Sequence, residues 1–168
     1  MEFIDVVKER QATRKFKNVQ IDEGVINKIL EVGRLAPTAK NQQPQKIFVI
    51  RSKEGLKKID MASPCRYNAP TVLLVCSDKN IAWSKEDYST YEMDACIVAT
   101  HLILGATNYG VDNIWIEMFD KSIIKKEFEL SDTIEPICLI PLGYKEDDYQ
   151  GNPLHNQRKL LEETTVYM

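Results

Sequence analysis

Glycine is scarce in this chain, with seven residues in 168. No cluster of them follows an apolar run, so the Gly-rich turn that cradles a dinucleotide or nucleotide phosphate is missing. The four cysteines, Cys65, Cys76, Cys96 and Cys138, stand far apart with no short paired spacing. That excludes the clustering a zinc or iron–sulfur centre needs, and no metal site is expected. Cys76, Cys96 and Cys138 sit inside apolar runs and read as small buried thiols, whereas Cys65 lies in the polar stretch Ser63 to Tyr67 and reads as exposed. Basic residues are not in excess, since the net charge is −3, which gives no reason to expect nucleic acid or an anionic membrane as partner. No apolar stretch is long enough to span a bilayer, and Met1 to Asp5 lacks the basic start and apolar core of a signal peptide. The expected compartment is therefore cytoplasmic. Ser, His and Asp form no ordered hydrolytic constellation. His101 falls in an apolar helical run and reads as a core residue, and His155 falls in a polar tail.

What is present suits one domain with a substantial core: 168 residues, 43% hydrophobic and 28% charged. Phe3, Ile4, Val6 and Val7 recur at helical spacing and lead into Arg10. Asp22 is placed to cap a second helix that buries Val25, Ile26, Ile29, Leu30 and Val32 and stops before Pro37. Lys46–Arg51 and Thr71–Cys76 read as strands, the second apolar enough for burial on both faces. Ser52 begins a short helix between them. A long helix is predicted from about Glu86 to Tyr109, with Gly110 as its stop, apolar all round between Ala95 and Ala106. Ile114–Ile116 reads as a third strand, Asp120 as the cap of a helix through Phe128, and Ile137–Ile140 as a fourth strand ending at Pro141–Tyr144. Lys145–Lys159 is polar and irregular, and no repeat is present.

Three segments carry chemistry. Arg10-Gln-Ala-Thr-Arg14 and, near the end, Arg158-Lys159 present guanidinium groups, whose fixed donors and permanent charge suit a phosphate. Ala36-Pro-Thr-Ala-Lys-Asn-Gln-Gln-Pro-Gln45 carries small, hydroxyl and amide side chains where a loop would ordinarily carry charge. Such a surface can lie close against a flat polar ring. A flat heterocycle with a phosphate outlines flavin mononucleotide. Taken singly, each segment also fits a plainer role, as a solvated helix end or as a turn built from Asn and Thr.

In this order and at these separations the three segments resemble the nitroreductase family of flavin-dependent oxidoreductases, over nearly the whole chain. Strands alternating with helices would ordinarily suggest a doubly wound parallel sheet. The resemblance implies instead an α+β sandwich with a mostly antiparallel central sheet flanked by helices, in an interlocked homodimer. One domain spans 1–168, with 145–168 as an arm embracing the partner. By the same resemblance, Arg10, Gln11, Ala12 and Arg14 grip the flavin phosphate and ribityl chain, with Ala12 where relatives often have Ser, and Arg158 reaches the phosphate. Pro37, Thr38, Ala39 and Asn41 come from the neighbouring subunit to the isoalloxazine edge. The segment with Ile116 and Glu117 passes over the reactive face, its Glu117 N–H directed at flavin N5, and Met118 stands where many relatives carry Gly. The backbone of Pro141, Leu142 and Gly143 also approaches the flavin. Arg66 is a candidate for the pyrimidine carbonyls in place of a family lysine.

No side chain is then expected to act as acid or base, because the cofactor, FMN, performs the redox chemistry and the protein binds and orients it. The implied activity passes hydride from NADH or NADPH to a small aromatic acceptor such as a nitroaromatic or quinone, by a ping-pong scheme. Two other readings stand beside it: a flavin-binding protein that carries, senses or scavenges flavin with little turnover, and a structural domain without flavin.

Overall fold

The computed structural model describes residues 2–168. Its centre is a four-stranded antiparallel sheet in the order β1-β2-β6-β5, formed by Gln45–Ile50, Thr71–Asp78, Ile134–Gly143 and Asp112–Asn113. β2 is buried along its length because both of its faces are covered. Leu73 and Val75 join Cys138, Ile140 and Leu142 under helices α2 (Glu23–Arg34) and α4 (Tyr91–Asn108). Val72, Leu74 and Cys76 point the other way, with Leu139, toward Ile59 of α3 (Lys53–Ala62) and Ile124 of α5 (Lys121–Glu127). The two-residue period of a strand thus feeds two separate cores from one apolar run. A helix-flanked antiparallel sheet is what the family resemblance implied.

Local chemistry sets most helix limits. Asp22 accepts from the N–H groups of Gly24 and Val25 at the start of α2, and Asp120 from Ser122 and Ile123 at the start of α5. These donors, with the Ser122 hydroxyl first among them, hold the Asp120 carboxyl below its usual range. Gly110 ends α4 at φ 71°, a conformation only glycine takes freely. Gly33 lets α2 cross close to α4, since a Cβ there would meet the Leu102 side chain.

Several expectations need correction. α4 begins at Tyr91, not Glu86, because Ser84–Lys85 (β3) and Tyr88–Ser89 (β4) close a small hairpin through Glu86 at φ 55°. The third strand pairs at Asp112–Asn113, and Ile116 retains only an isolated bridge to Leu139. Cys65 is buried, because its stretch folds back against the second core and its N–H bonds Ser63 Oγ. The tail is less irregular than its composition suggests: Asn152 caps a 3-10 turn at Pro153–Asn156, and Leu161–Thr164 forms a single turn of helix (α6). Among the described residues, no helix is long and apolar enough to cross a membrane.

Candidate functional site

Helix α1 (Phe3–Glu9) delivers Arg10 as its C-cap, and the chain then runs extended into Arg14. This segment is wedged between sheet and tail. Thr13 N–H bonds Asn113 O at 3.0 Å, and Lys17 N–H bonds Tyr144 O at 2.8 Å. The Tyr149 hydroxyl donates to Ala12 O at 2.7 Å, and Lys15 and Lys17 pair with Asp148 and Asp147. The tail passes so near Gln11 that a Cβ on Gly151 would collide with the Gln11 amide. His155, its Nε2 2.8 Å from Lys8 O, pins the tail to the end of α1 and brings Arg158 to Arg10.

The result is a set of guanidinium groups without a carboxylate, although Arg158 Nη1 donates to Gln157 O at 2.7 Å and Leu154 O at 3.4 Å. None of the ion pairs among the described residues includes Arg10, Arg14 or Arg158. Half-buried Arg10 has its pKa lowered, first by loss of water and then by the nearby charge of Arg158. Two guanidinium groups brought together without a carboxylate repel each other unless an anion lies between them. The N–H groups of Gln11, Ala12 and Arg14 likewise bond no carbonyl or side chain within the described residues. Thr13 Oγ1 and Asn113 Oδ1 are buried beneath and unpartnered. A polar cavity of about 350 Å³ opens alongside, lined by Lys8, Gln11, Asn113, Lys145 and His155 among others.

A run of mostly buried contacts links Arg14 to the Glu117 segment. The Cys65 thiol beside the Tyr67 hydroxyl, together with burial, raises that phenol's pKa, while neighbouring Arg14 pulls it down. Cys65 N–H bonds Ser63 Oγ, whose hydroxyl donates to Met118 O at 2.7 Å. Glu117 follows Ile116, which is fixed by reciprocal backbone bonds to Leu139, and the Glu117 N–H has no partner among the described residues. Its carboxylate accepts from Trp115 Nε1 at 3.0 Å, and Met118 stands exposed. Pro141, Leu142 and Gly143 form a buried floor at the end of β6, with Gly143 confined by Phe16 and Pro70. Arg66 is occupied elsewhere: Asp60 holds it through both carboxylate oxygens at 2.7 Å, and Ala69 O takes a third donor.

Pro37–Asn41 lies elsewhere on the chain. Ala39 N–H bonds Asp94 Oδ1 at 2.8 Å, near the start of α4, and Gln43 N–H bonds Thr38 Oγ1. Asp94 is 2% exposed, and its other oxygen accepts from Thr90. Lys40, Asn41 and Gln43 all adopt positive φ, near 50°, a costly arrangement for three non-glycine residues in one loop. Neither Asp94 nor the left-handed pair Tyr67 and Asn68 stood out in the sequence. A buried aspartate inside an apolar helix was the available signal for the first. Cys76 and Cys138 are buried, and burial pushes the Cys76 thiol up to about 12. His101 is satisfied within its own helix, its Nδ1 2.8 Å from Ile97 O. Among the described residues, no group of His, Cys, Asp and Glu could hold a metal ion.

Comparison with known proteins bears on the family and the fold. The Nitroreductase family model matches residues 7–66 and 61–144. A nitroreductase family protein of Clostridium difficile 630 is 34% identical and superposes with a TM-score of 0.92, covering 99% of this chain and 98% of its own. An Archaeoglobus fulgidus protein provisionally named NADH dehydrogenase/NAD(P)H nitroreductase is 26% identical, across 96% of this chain and 98% of its own length. A provisional nitroreductase of Exiguobacterium sibiricum 255-15, solved in complex with FMN, is 21% identical with a TM-score of 0.86, covering 100% of this chain and 98% of its own. On the family match and the close likeness to the Clostridium difficile protein, this chain belongs to the nitroreductase family.

Proposed function

We propose that the protein is an FMN-dependent oxidoreductase that takes hydride from NADH or NADPH and passes electrons to nitroaromatic, quinone or similar acceptors. The observation that carries this reading is that Arg10, Arg14 and Arg158 all lack a carboxylate partner, with Arg158 brought to Arg10 beside three unbonded N–H groups. These donors fit a terminal phosphate monoester, and the absence of a Gly-rich turn in the sequence speaks against a dinucleotide. When bound, FMN would supply the hydride-accepting N5 of its ring. The chain's own part is to hold the phosphate with those arginines, to leave the Glu117 N–H free for the electron-rich ring, and to line the space between with Tyr67 and Met118, the latter's carbonyl fixed by the buried Ser63 hydroxyl. A single slot used in turn by donor and acceptor gives a ping-pong scheme.

The same reading pairs two copies of the chain, with residues 145–168 as the arm between them. Ala39 hangs on Asp94, whereas Gln11 borders Thr107, thirteen residues further along α4. At 1.5 Å per residue the two ends are about 20 Å apart, which favours Pro37, Thr38, Ala39 and Asn41 serving a partner's flavin. Phe3 and Ile4 of α1 and Leu160, Leu161, Val166 and Tyr167 of the arm are all more than half exposed. β1 is an open sheet edge with Ile47, Phe48 and Val49 along it. Exposed apolar surface of this kind is what a two-fold interface covers.

Acid release of the cofactor from purified protein, followed by chromatography, tests the identity of the flavin. FMN is expected, and recovery of FAD or of no flavin would overturn the assignment. Steady-state oxidation of NADH or NADPH with a quinone should give parallel double-reciprocal lines. Bound FMN without turnover would identify a flavin carrier instead.

A further inference from the structure

Beside the loop of Thr38–Asn41 stands the hairpin of β3 and β4, and one buried carboxylate holds both. Asp94 Oδ1 accepts from Ala39 N–H, and Asp94 Oδ2 accepts from the Thr90 hydroxyl at 2.8 Å. Thr90 closes the hairpin, its N–H bonding Trp83 O at 3.0 Å. Loop and hairpin are therefore one unit. Across their junction, Lys40 Nζ lies 5.3 Å from the centre of the Trp83 ring, and Tyr88 meets the same indole edge-on at 6.2 Å. Tyr88 is 50% exposed.

Lys40 is unusual in two respects. Its backbone is left-handed, at φ 48°, where a long side chain gains nothing over glycine or asparagine. Its ammonium also has no carboxylate partner among the described residues, although Glu86, Asp87 and Glu92 are close in sequence to the hairpin. Stacking over an indole restrains the lysine chain without neutralising it, so a charge is held ready beside an aromatic surface.

We propose that Lys40, Trp83 and Tyr88 form an acceptor-selecting wall that favours planar aromatic substrates bearing a negative group. The aromatic pair would meet the substrate ring, and the lysine its anionic substituent. This rests on the proposed function, in which the loop faces the flavin of the partner subunit.

The test compares 4-nitrobenzenesulfonate with 4-nitrobenzenesulfonamide, acceptors of similar shape but different charge, at saturating NADH or NADPH. The measured quantity is the ratio of their kcat/KM values in the flavin-loaded parent, in Lys40→Met and in a control on the far helix, Lys126→Met. Comparing ratios between variants cancels the intrinsic difference in reducibility. Lys40→Met should lower the ratio about two- to fivefold, the size of one solvent-exposed charge contact. Turnover of the neutral acceptor should stay within twofold, the control should match the parent, and added salt should shrink the parent's ratio. An unchanged ratio, or an equal loss on both acceptors, would overturn the wall. A parent that holds FMN but reduces neither acceptor would instead bring down the proposed function, and this inference with it.

Discussion

Replacing Asp94 should loosen a whole flank of the molecule. The side chain is 2% exposed and accepts two hydrogen bonds of 2.8 Å, from Ala39 N–H and from the Thr90 hydroxyl. Hydrogen bonds to a charged group contribute about 1.5–3 kcal/mol each. Thr90 can still bond Trp83 O at 3.2 Å, and half-buried Ala39 can recruit water. Both effects pull the sum for Asp94→Ala toward the lower end, about 3–4 kcal/mol. Asp94→Asn keeps an oxygen for Ala39 and loses mainly the charge, so its cost should be about 1 kcal/mol. Urea unfolding at one fixed protein concentration measures both, the fixed concentration mattering because the proposed subunit pairing would shift apparent stability. The left-handed loop at Lys40–Gln43 should then relax, and flavin affinity should fall in parallel with stability. If Asp94→Ala lies within 0.5 kcal/mol of the parent, the two bonds do not hold the loop. If Asn is as damaging as Ala, charge matters and acceptor geometry does not.

Arg158→Ala should weaken FMN binding about ten- to a hundredfold while leaving the flavin-free protein as stable or slightly more so, since it removes a like charge from Arg10; titration calorimetry and apo-protein melting together check this. Burial alone would raise the Glu135 carboxyl, but Lys125, Lys121 and Lys79 outweigh it and bring the pKa below 4.5. Its contribution to stability is therefore complete well above pH 4.5 and is lost as pH falls through the lowered folded value, so Glu135→Gln should flatten the acid limb of a pH–melting curve. A thiol reagent at neutral pH should label Cys96 first in the folded protein. Cys65, Cys76 and Cys138 should react only on unfolding, and rapid native labelling of Cys76 would contradict its burial and its raised pKa.

The sequence was most legible where one chemical preference decides the outcome. Asp22 and Asp120 cap helices, Gly110 ends one, and the unbroken apolar run of β2 requires cover on both faces. It was least legible where tertiary contacts overrule composition. Polar residues around Cys65 suggested exposure, yet Ser63 turns inward to Met118 O and takes the thiol with it. Trp83 to Ser89 contains no Asn-Gly or Gly pair, so its hairpin looked like the start of α4, and Glu86 supplies the positive φ at a cost. At the candidate site the arginines were visible as residue types. Their lack of counter-ions was not, because it depends on where every carboxylate ends up: Asp60, the acid nearest in sequence to the Cys65–Asn68 turn, is taken by Arg66.

The bond between His155 and Lys8 joins residues 147 apart in the chain. In the proposed function Arg158 joins Arg10 only through that closure, so the full set of phosphate donors is incomplete until the tail has emerged. At the ribosome's pace of about 5–20 residues per second, some 7–30 s separate the emergence of the two halves. During that interval the first helix, with Phe3, Ile4 and Val7 exposed, lacks the tail that is later pinned to its end. On the proposed function, full-strength FMN binding follows synthesis, and a ribosome that stalls before Arg158 releases a chain with most of its core but only Arg10, Arg14 and the backbone donors to meet a phosphate.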